Sequence, residues 1–492
     1  AEDGIRDDLV TGVQTCALPI YFEEAFPNVQ MAEAPHSSDQ SLSDKAWYNI
    51  PYIEASEESY VEIYENLRIL KQHGIDDLIV NHPSDTWHDG DGNGTFTLEA
   101  APIKGGDDAL SEYIDALKDL GYSTTLKTNF RDISADNSTW NPSLGAQTAE
   151  GQPVVTGTGT YLFKPSLALQ RAEGHTAAIV EKYESDALYL GAHTARPPWD
   201  FTDCDSQLSG STALSHSLQI QRDLLKLLAA QHPTLGEGGN HWLYAGILQG
   251  HLARMPGENP SQIPPVVDFD LRKMHPLQSD AGVGSIEHYY GQSIPTAEKH
   301  GRSAHLSRYI AATAAFGHAV LLPDPTEWGI ASALKSYFML RKLQSQYLRV
   351  AVSSIHYCSN GNYSTLDDAM HNDAYEQGQI RVDYENGTRL YANLGSQTWD
   401  IEEDGHSYSL PSGSFWGRAE QDNILAYSTE DAQGRLDLSS CDDYLFIDAH
   451  GQQRDFGPVQ VDGIALVKER KWEIDVITLD CKTPTIIDVG QL

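Results

Sequence analysis

Two segments carry residues whose types could do chemistry together: LYLGAHTARPPWDFTDCD from Leu188 to Asp205, and LGEGGNHW from Leu235 to Trp242. Each reads as a buried strand running into a polar, aromatic loop, the arrangement that puts reactive groups at the C-terminal mouth of a (β/α)8 barrel. Glu237, flanked by Gly236, Gly238 and Gly239, stands at such a strand end where backbone approaches backbone, and it suits a proton donor. The matching place on the preceding strand, where a nucleophilic carboxylate would stand, is Gly191.

Further carboxylates fall at expected strand ends: Asp85 in NHPSDTWHDG, and Asp268 with Asp270 in VVDFDLRKMHP. Beside them lie Trp87, Trp199, Trp242 and Tyr244. Aromatic faces stack on sugar rings and carboxylates hold hydroxyls, so the combination points to carbohydrate. Glycoside hydrolysis needs one carboxyl to protonate the leaving oxygen and another to attack or to activate water, about 5–5.5 Å apart for retention and about 6.5–9.5 Å for inversion. Burial of Glu237 would raise its pKa and fit it for the acid role.

Each residue also has a plainer reading. Asp85 follows Pro and Ser, where Asp often caps a turn. Asp268 and Asp270 are two apart on one expected strand, either an inward-facing pair or partners of Arg272 and Lys273. His82, His193 and His241 could bind a sugar or simply hydrogen-bond at strand ends; they lack the HxH and HExxH spacings of a metal-dependent hydrolase. In DGDGNGTFTLEA, Asp89, Asp91 and Asn93 with Gly94 match the opening of a calcium loop, but the twelfth position is Ala100 and Glu99 precedes it. A solvated Asp-Gly turn and a weak Ca2+ site both remain open there, and the expected chemistry requires no cofactor.

The elements that must position these groups are legible as periodicity. Eight apolar runs alternate with amphipathic stretches between Lys45 and about Ser359: WYNIPYIE, DDLIVNHP, STTLKTNF, ALYLGAHT, TLGEGG, PVVDFDLRK, AVLLPD and VAVSSIHY. This predicts an α/β fold, a (β/α)8 TIM barrel over 45–376. After about Gly378 the texture becomes alternating strands with turn signals, as in IRVDYENGTRLYANL, where Asn386-Gly387 fits a tight hairpin. A C-terminal all-β domain of the β-sandwich type is expected over 377–492. Residues 21–44 read as an N-terminal segment or linker. Residues 1–20 include VTGVQTCALPI, which looks like the conceptual translation of a sequencing adapter, so the natural polypeptide is expected to resume near Tyr21.

Composition narrows the function class. The 492 residues, 40% apolar, can bury a large core. Seventy acidic against 33 basic residues give a net charge of −37, which repels nucleic acid and anionic membranes. No run reaches the about 18 apolar residues that a membrane span requires. Cys204, Cys358, Cys441 and Cys481 are too scattered for a disulfide framework or a zinc site, although one or two disulfides would suit an exported protein.

On these segments the chain resembles glycoside hydrolase family 129 and its relatives in family 101, which act on α-linked N-acetylgalactosamine. The resemblance runs from about Lys45 to the C-terminus and rests on HPSDTW, YL-x-x-HTA-x-PPW, GEG-x-x-HW-x-YAG, VVDFDLRK-x-HP and the trailing β domain. It implies a retaining mechanism with Glu237 as acid/base, Asp85 as a sugar-binding carboxylate, and a secreted, periplasmic or cell-surface location. The family's nucleophile is an Asp at the position that here is Gly191. The acetamido group of an α-linked N-acetylgalactosamine lies on the leaving-group face and cannot attack from behind. Asp200, Asp203 or Asp205 could serve as base for an inverting variant. A non-catalytic carbohydrate-binding relative and an α-amylase-like barrel hydrolase are the alternative readings.

Overall fold

The computed structural model describes residues 42–51, 59–83, 87–88, 95–205, 214–254, 266–269, 279–284, 286, 299–456, 460–470, 473–478 and 485–488. Seven parallel strands form one sheet: β1 (Ala46–Asn49), β2 (Leu78–His82), β3 (Ser123–Lys127), β4 (Ala187–Tyr189), β5 (Thr234–Glu237), β6 (Gly250–Leu252) and β7 (Ser279–Ala281), in that spatial order. Residues 319–321 close the ring, bridging in parallel to Ala281 on one side and to Trp47 on the other. Trp47 N donates to Val320 O at 2.9 Å and Gly282 N to Ala319 O at 2.8 Å. The result is a closed eight-stranded (β/α)8 barrel.

The helices follow the periodicity that predicts them. In α1 (Tyr60–Gln72) the buried Tyr60, Ile63, Leu67 and Leu70 recur every three or four residues, and a Ser59–Glu62 capping box satisfies the first turn. The helices Gly106–Asp119, Pro165–Tyr183, Leu214–Gln231 and Lys299–Phe316 cover further strands. Among the described residues no α-helix follows β5 or β6. All five residues of β2 are buried, as expected of a parallel strand covered on both faces.

Two of the expected strands belong elsewhere. Val267–Phe269, in the run expected to be the sixth strand, is a 3-10 turn, and the VAVSSIHY segment supplies Val352–Ser359 to the C-terminal sheet. Their places in the barrel are taken by GHL and SDA, three-residue strands too short and too polar to show periodicity.

The C-terminal region is an eleven-stranded antiparallel sheet with a hairpin, Trp399–Glu403 and His406–Leu410, on one face. Side chains alternate across the sheet: Leu390, Ala392 and Phe415 join the main core, whereas Tyr391 and Trp416 pack under the hairpin with Trp399 and Ile401. The Asn386-Gly387 turn joins Gln379–Tyr384 to Arg389–Asn393, with Gly387 at φ +85° as the hairpin requires. Between barrel and sheet lies Ile330–Tyr347, buried continuously from Ala333 to Leu340. Its Arg341 pairs with Asp77 of the barrel, while its Lys335 reaches Asp437 and Asp448 of the sheet. Asp437, Asp448 and His450 have the spacing of a cation site. The Lys335 ammonium already supplies the positive charge there, so the group is an ion-pair network that docks the two units. Among the described residues no helix is long and apolar enough to cross a membrane, and Cys204, Cys358 and Cys441 are free thiols.

Candidate active site

The strands converge on a cavity of about 630 Å³ at their C-terminal ends. Asn49 from β1, Asn81 from β2, Lys127 from β3, Tyr189 from β4, Glu237 from β5 and Leu252 from β6 all line it, with Gly284 and Leu321 completing the ring. Strand ends from around the barrel therefore face one space, which is where this architecture assembles chemistry.

Glu237 is the last residue of β5, and its side chain is 14% exposed. Its backbone N–H donates to Thr194 Oγ1 at 2.7 Å. Gly239, at φ +128°, brings the following loop so close to Ala195 that a Cβ would meet its carbonyl oxygen at 2.7 Å, so the glycines after Glu237 let two loops touch. The carboxylate accepts a hydrogen bond from the Tyr189 hydroxyl and pairs with the Arg254 guanidinium. Burial nevertheless dominates and raises its pKa against the opposing pull of Arg254, Lys127 and Tyr189. A carboxyl with raised proton affinity on a cavity wall can deliver a proton to a leaving oxygen.

Gly191 opens the short helix Gly191–Ala195 directly after β4 and is buried. A Cβ built there would stand 2.6 Å from Glu237 Oε2 and 2.9 Å from Tyr189 Cε1. The strand-four position expected to hold a second reacting group is thus beside Glu237, and the place of its side chain is taken by the Glu237 carboxylate and the Tyr189 ring.

The other carboxylates divide. Asp85 and Asp270 lie outside the described residues, as do Asp89, Asp91 and Asn93. Asp268 sits on the 3-10 turn rather than a strand, where its carboxylate accepts from Tyr357 Oη. Asp324 and Glu327 line the cavity. Both oxygens of Asp324 cap the turn Pro325–Trp328, accepting from Thr326 N at 3.0 Å and Thr326 Oγ1 at 2.6 Å. In the loop after β4, Asp203 accepts from Gln147 N and Asp205 pairs with Lys164 at 2.7 Å, and neither these nor Asp200 reach the cavity.

Three of the aromatic or imidazole side chains expected to bind substrate face inward instead. His82 is fully buried, its ring nitrogens 2.9 Å from Thr125 O and from Tyr113 Oη, and burial lowers its pKa to about 4. Strand parity explains this: Asn81 points to the lumen, so its neighbour points to the helix layer. Trp87 is fully buried and donates to Lys127 O at 3.1 Å, which fixes the strand-three end rather than offering a face to a sugar. His193 accepts from Phe130 N at 3.2 Å and donates to Gln221 Oε1 at 3.0 Å, and desolvation likewise lowers its pKa to about 4. Trp199 and Trp242 are solvent-exposed, at 62% and 52%, on the 3-10 turns Pro198–Phe201 and His241–Tyr244 that follow β4 and β5. His241 lies beside Asp280, away from the cavity-lining set.

Sequence reasoning passed over Lys127, Tyr189, Arg254, Asn49 and Asn81. The available signal was that Asn49, Lys127 and Tyr189 end strands and Asn81 stands one residue before the end of another; Tyr189 even stands inside the segment that drew attention first.

No family model matches the sequence, and no curated protein does. Among solved structures the fold is similar to the α-N-acetylgalactosaminidase NagBb from Bifidobacterium bifidum. A quadruple mutant of that protein superposes with a TM-score of 0.55 at 15% identity over 73% of this chain and 57% of that one. Its GalNAc complex gives 0.55 at 14% identity over 75% and 59%, so the chain spans well under two thirds of NagBb's length. The Nostoc punctiforme debranching enzyme soaked with acarbose gives a TM-score of 0.50 at 11% identity over 79% of this chain and 99% of that chain. At these identities the likeness is one of fold: this chain shares the barrel architecture of glycoside hydrolases.

Proposed function

We propose that this protein is a glycoside hydrolase that takes an α-linked N-acetylgalactosamine or related galactose-like residue of a glycoprotein or polysaccharide into the barrel mouth, with Glu237 as acid/base. The observation that carries the proposal is Glu237 itself: a strand-end carboxyl on the wall of the mouth cavity, its proton affinity raised by burial and its orientation set by Tyr189 and Arg254. The NagBb likeness supports the sugar class, and a glycoprotein or polysaccharide substrate is in keeping with a secreted, periplasmic or cell-surface location. A retaining course needs a second carboxyl about 5–5.5 Å away, and Gly191 occupies that place, so the turnover of this chain is slow.

The test is release of aryl alcohol from α-N-acetylgalactosaminide, α-galactoside and α-glucoside substrates by the wild type and by Glu237→Gln. Preference for the first, with a loss of about 10²–10⁴-fold in the variant, is expected. Preference for the α-glucoside would replace the sugar class with an α-amylase-like one. A second reading, sugar binding without turnover, is favoured by Gly191. Saturable binding of N-acetylgalactosamine by calorimetry with no release from any substrate would establish it, and neither binding nor release would refute both.

A further inference from the structure

Tryptophan is kept inside this protein except at one place. Among the described residues Trp47, Trp87, Trp328, Trp399 and Trp416 are buried, and Trp140 lies half-buried against Tyr161 with ring centres 4.6 Å apart. The two that stand in water, Trp199 and Trp242, are on the turns that follow β4 and β5, the strands that end at Tyr189 and Glu237. The loops that carry them are tied together: Asn240 N donates to Thr194 O at 3.0 Å, and Asn240 Nδ2 donates to Ala195 O at 2.9 Å. Trp199 stands four residues beyond Ala195 and Trp242 two beyond Asn240, so both exposed indoles belong to one stretch of the rim.

The two turns are built alike. Each exposes its tryptophan and buries an aromatic ring two residues later, Phe201 in one and Tyr244 in the other. Phe201 packs on His193, ring centres 5.9 Å apart, beneath the Arg131 guanidinium, and Tyr244 joins Leu224, Leu225 and Leu228 in one apolar cluster. Trp199 follows two prolines of fixed φ, and its carbonyl accepts from Thr202 Oγ1 at 2.9 Å, while Leu243 O accepts from Arg222. The indoles therefore stand on fixed supports, and seating a ligand on them costs little ordering entropy. A general acid gives its proton to the bridging oxygen, so whatever lies beyond that oxygen departs on the acid's side. Neither tryptophan lines the cavity, yet the Trp242 Cα, five residues after Glu237, is within about 17 Å of it along the chain.

We propose that Trp199 and Trp242 form a leaving-group subsite that stacks the neutral hexose residues beyond the bond cleaved, so that the substrate is a saccharide chain. Pyranose rings offer flat C–H faces to an indole. Arg196 and Asp200, on the same loop as Trp199 and open to solvent, supply partners for hydroxyls. An extended peptide is held instead by main-chain hydrogen bonds along a strand edge, and neither 3-10 turn presents one. The net charge of −37 works against an acidic chain. That the subsite serves the leaving side rests on Glu237 as the acid; its affinity for hexose does not.

The experiment measures affinity by calorimetry and tryptophan fluorescence in the full chain carrying Glu237→Gln, which leaves substrates uncleaved. The probes are N-acetylgalactosamine, a trisaccharide with α-N-acetylgalactosamine on a galactose disaccharide, that disaccharide alone, and a peptide bearing α-N-acetylgalactosaminyl threonine. The trisaccharide should bind about 10-fold or more tighter than the monosaccharide and shift the tryptophan emission. Trp199→Ala and Trp242→Ala should each shrink that advantage on the order of 3–10-fold, and the Phe variants, which keep a ring, should retain most of it. Tyr363→Ala, an exposed ring on the C-terminal sheet, should leave it unchanged. Equal losses for monosaccharide and trisaccharide, losses no larger than that of the Tyr363 variant, an advantage shown by the glycopeptide alone, or no binding of either galactose-containing probe would overturn the proposal. Disaccharide binding that needs both tryptophans, without any binding of N-acetylgalactosamine, would uphold the subsite and sink the sugar assigned to the cavity. Binding of N-acetylgalactosamine with trisaccharide affinity indifferent to both tryptophans would do the reverse.

Discussion

Replacing Gly191 with Asp tests the site most directly, because the structure fixes both the gain and the cost. The backbone at Gly191 has no left-handed φ, so a side chain is admissible there. The new Cβ would, however, begin 2.6 Å from Glu237 Oε2 and 2.9 Å from Tyr189 Cε1. The Glu237 carboxylate is the end of a flexible side chain and can swing aside, whereas the Tyr189 ring must tilt, and overpacking of this size costs about 1–3 kcal/mol of stability. With the two carboxyls about 5.5 Å apart, their mutual repulsion when both are ionised is about 3 kcal/mol at an effective dielectric of about 20. That repulsion falls on Glu237, raises its proton affinity further and keeps it an acid to higher pH, while the introduced carboxylate stays ionised to attack. Turnover of an aryl α-N-acetylgalactosaminide should rise at least about 100-fold in kcat/KM, equivalent to about 2.7 kcal/mol of barrier. The alkaline limb of the pH profile should move upward. Gly191→Ala is the control, since it brings the same Cβ without the charge and should gain nothing. A folded Gly191→Asp protein whose rate equals that of Gly191→Ala on every substrate would refute the assignment of Gly191 and Glu237 to one reacting pair.

Arg254→Gln removes a cation that lowers the Glu237 pKa, so the acid should survive to higher pH and the alkaline limb of kcat/KM should shift up; an unchanged limb would separate Glu237 from the observed titration. His82 and His193 have folded pKa values lowered to about 4 from an ordinary value near 6.5. The unfolded chain therefore binds the extra protons between those limits, and stability should fall as pH drops from about 6.5 toward 4, by roughly 3 kcal/mol for each histidine. His193→Gln should flatten that slope in urea denaturation by one proton. Lys335→Met leaves Asp437, wholly buried, without its ammonium partner, and should cost about 3–5 kcal/mol by the same assay; a loss below about 1 kcal/mol would mean that His450 and Arg435 suffice.

The long-period features were readable in the sequence because burial on a repeating face leaves a repeating pattern. Helix Tyr60–Gln72 is of that kind; the strand Leu78–His82 shows instead as a continuous buried run, and the Asn386-Gly387 hairpin as a turn where a positive φ demands its residue. What sequence could not supply was parity and length. A strand of three residues such as Gly250–Leu252 carries no period, so the sixth and seventh strands went unseen and more hydrophobic runs were read in their place. At Asn81 and His82 the neighbours differ by one step and face opposite sides of the wall, and the imidazole was the more conspicuous residue but the wrong side.

That limit bears on how the Gly191 place should be read. On sequence alone a glycine there is a missing nucleophile; in space it is also the seat against which Glu237 rests and Tyr189 packs. Both descriptions make the same demand on the wall behind them, since a carboxyl that must turn toward a substrate needs β5 held still. The Thr194 hydroxyl holds the Glu237 backbone from the strand-four side, and the Gly238 N–H, donating to Leu252 O at 2.7 Å, holds it from the strand-six side. Disturbing Leu252 or Thr194 should therefore lower kcat more than it raises KM, because what is lost is the placement of the acid rather than contact with the sugar. Thr194→Val removes only the hydroxyl and keeps the volume, and an equal loss in both constants would show that the loop serves binding instead.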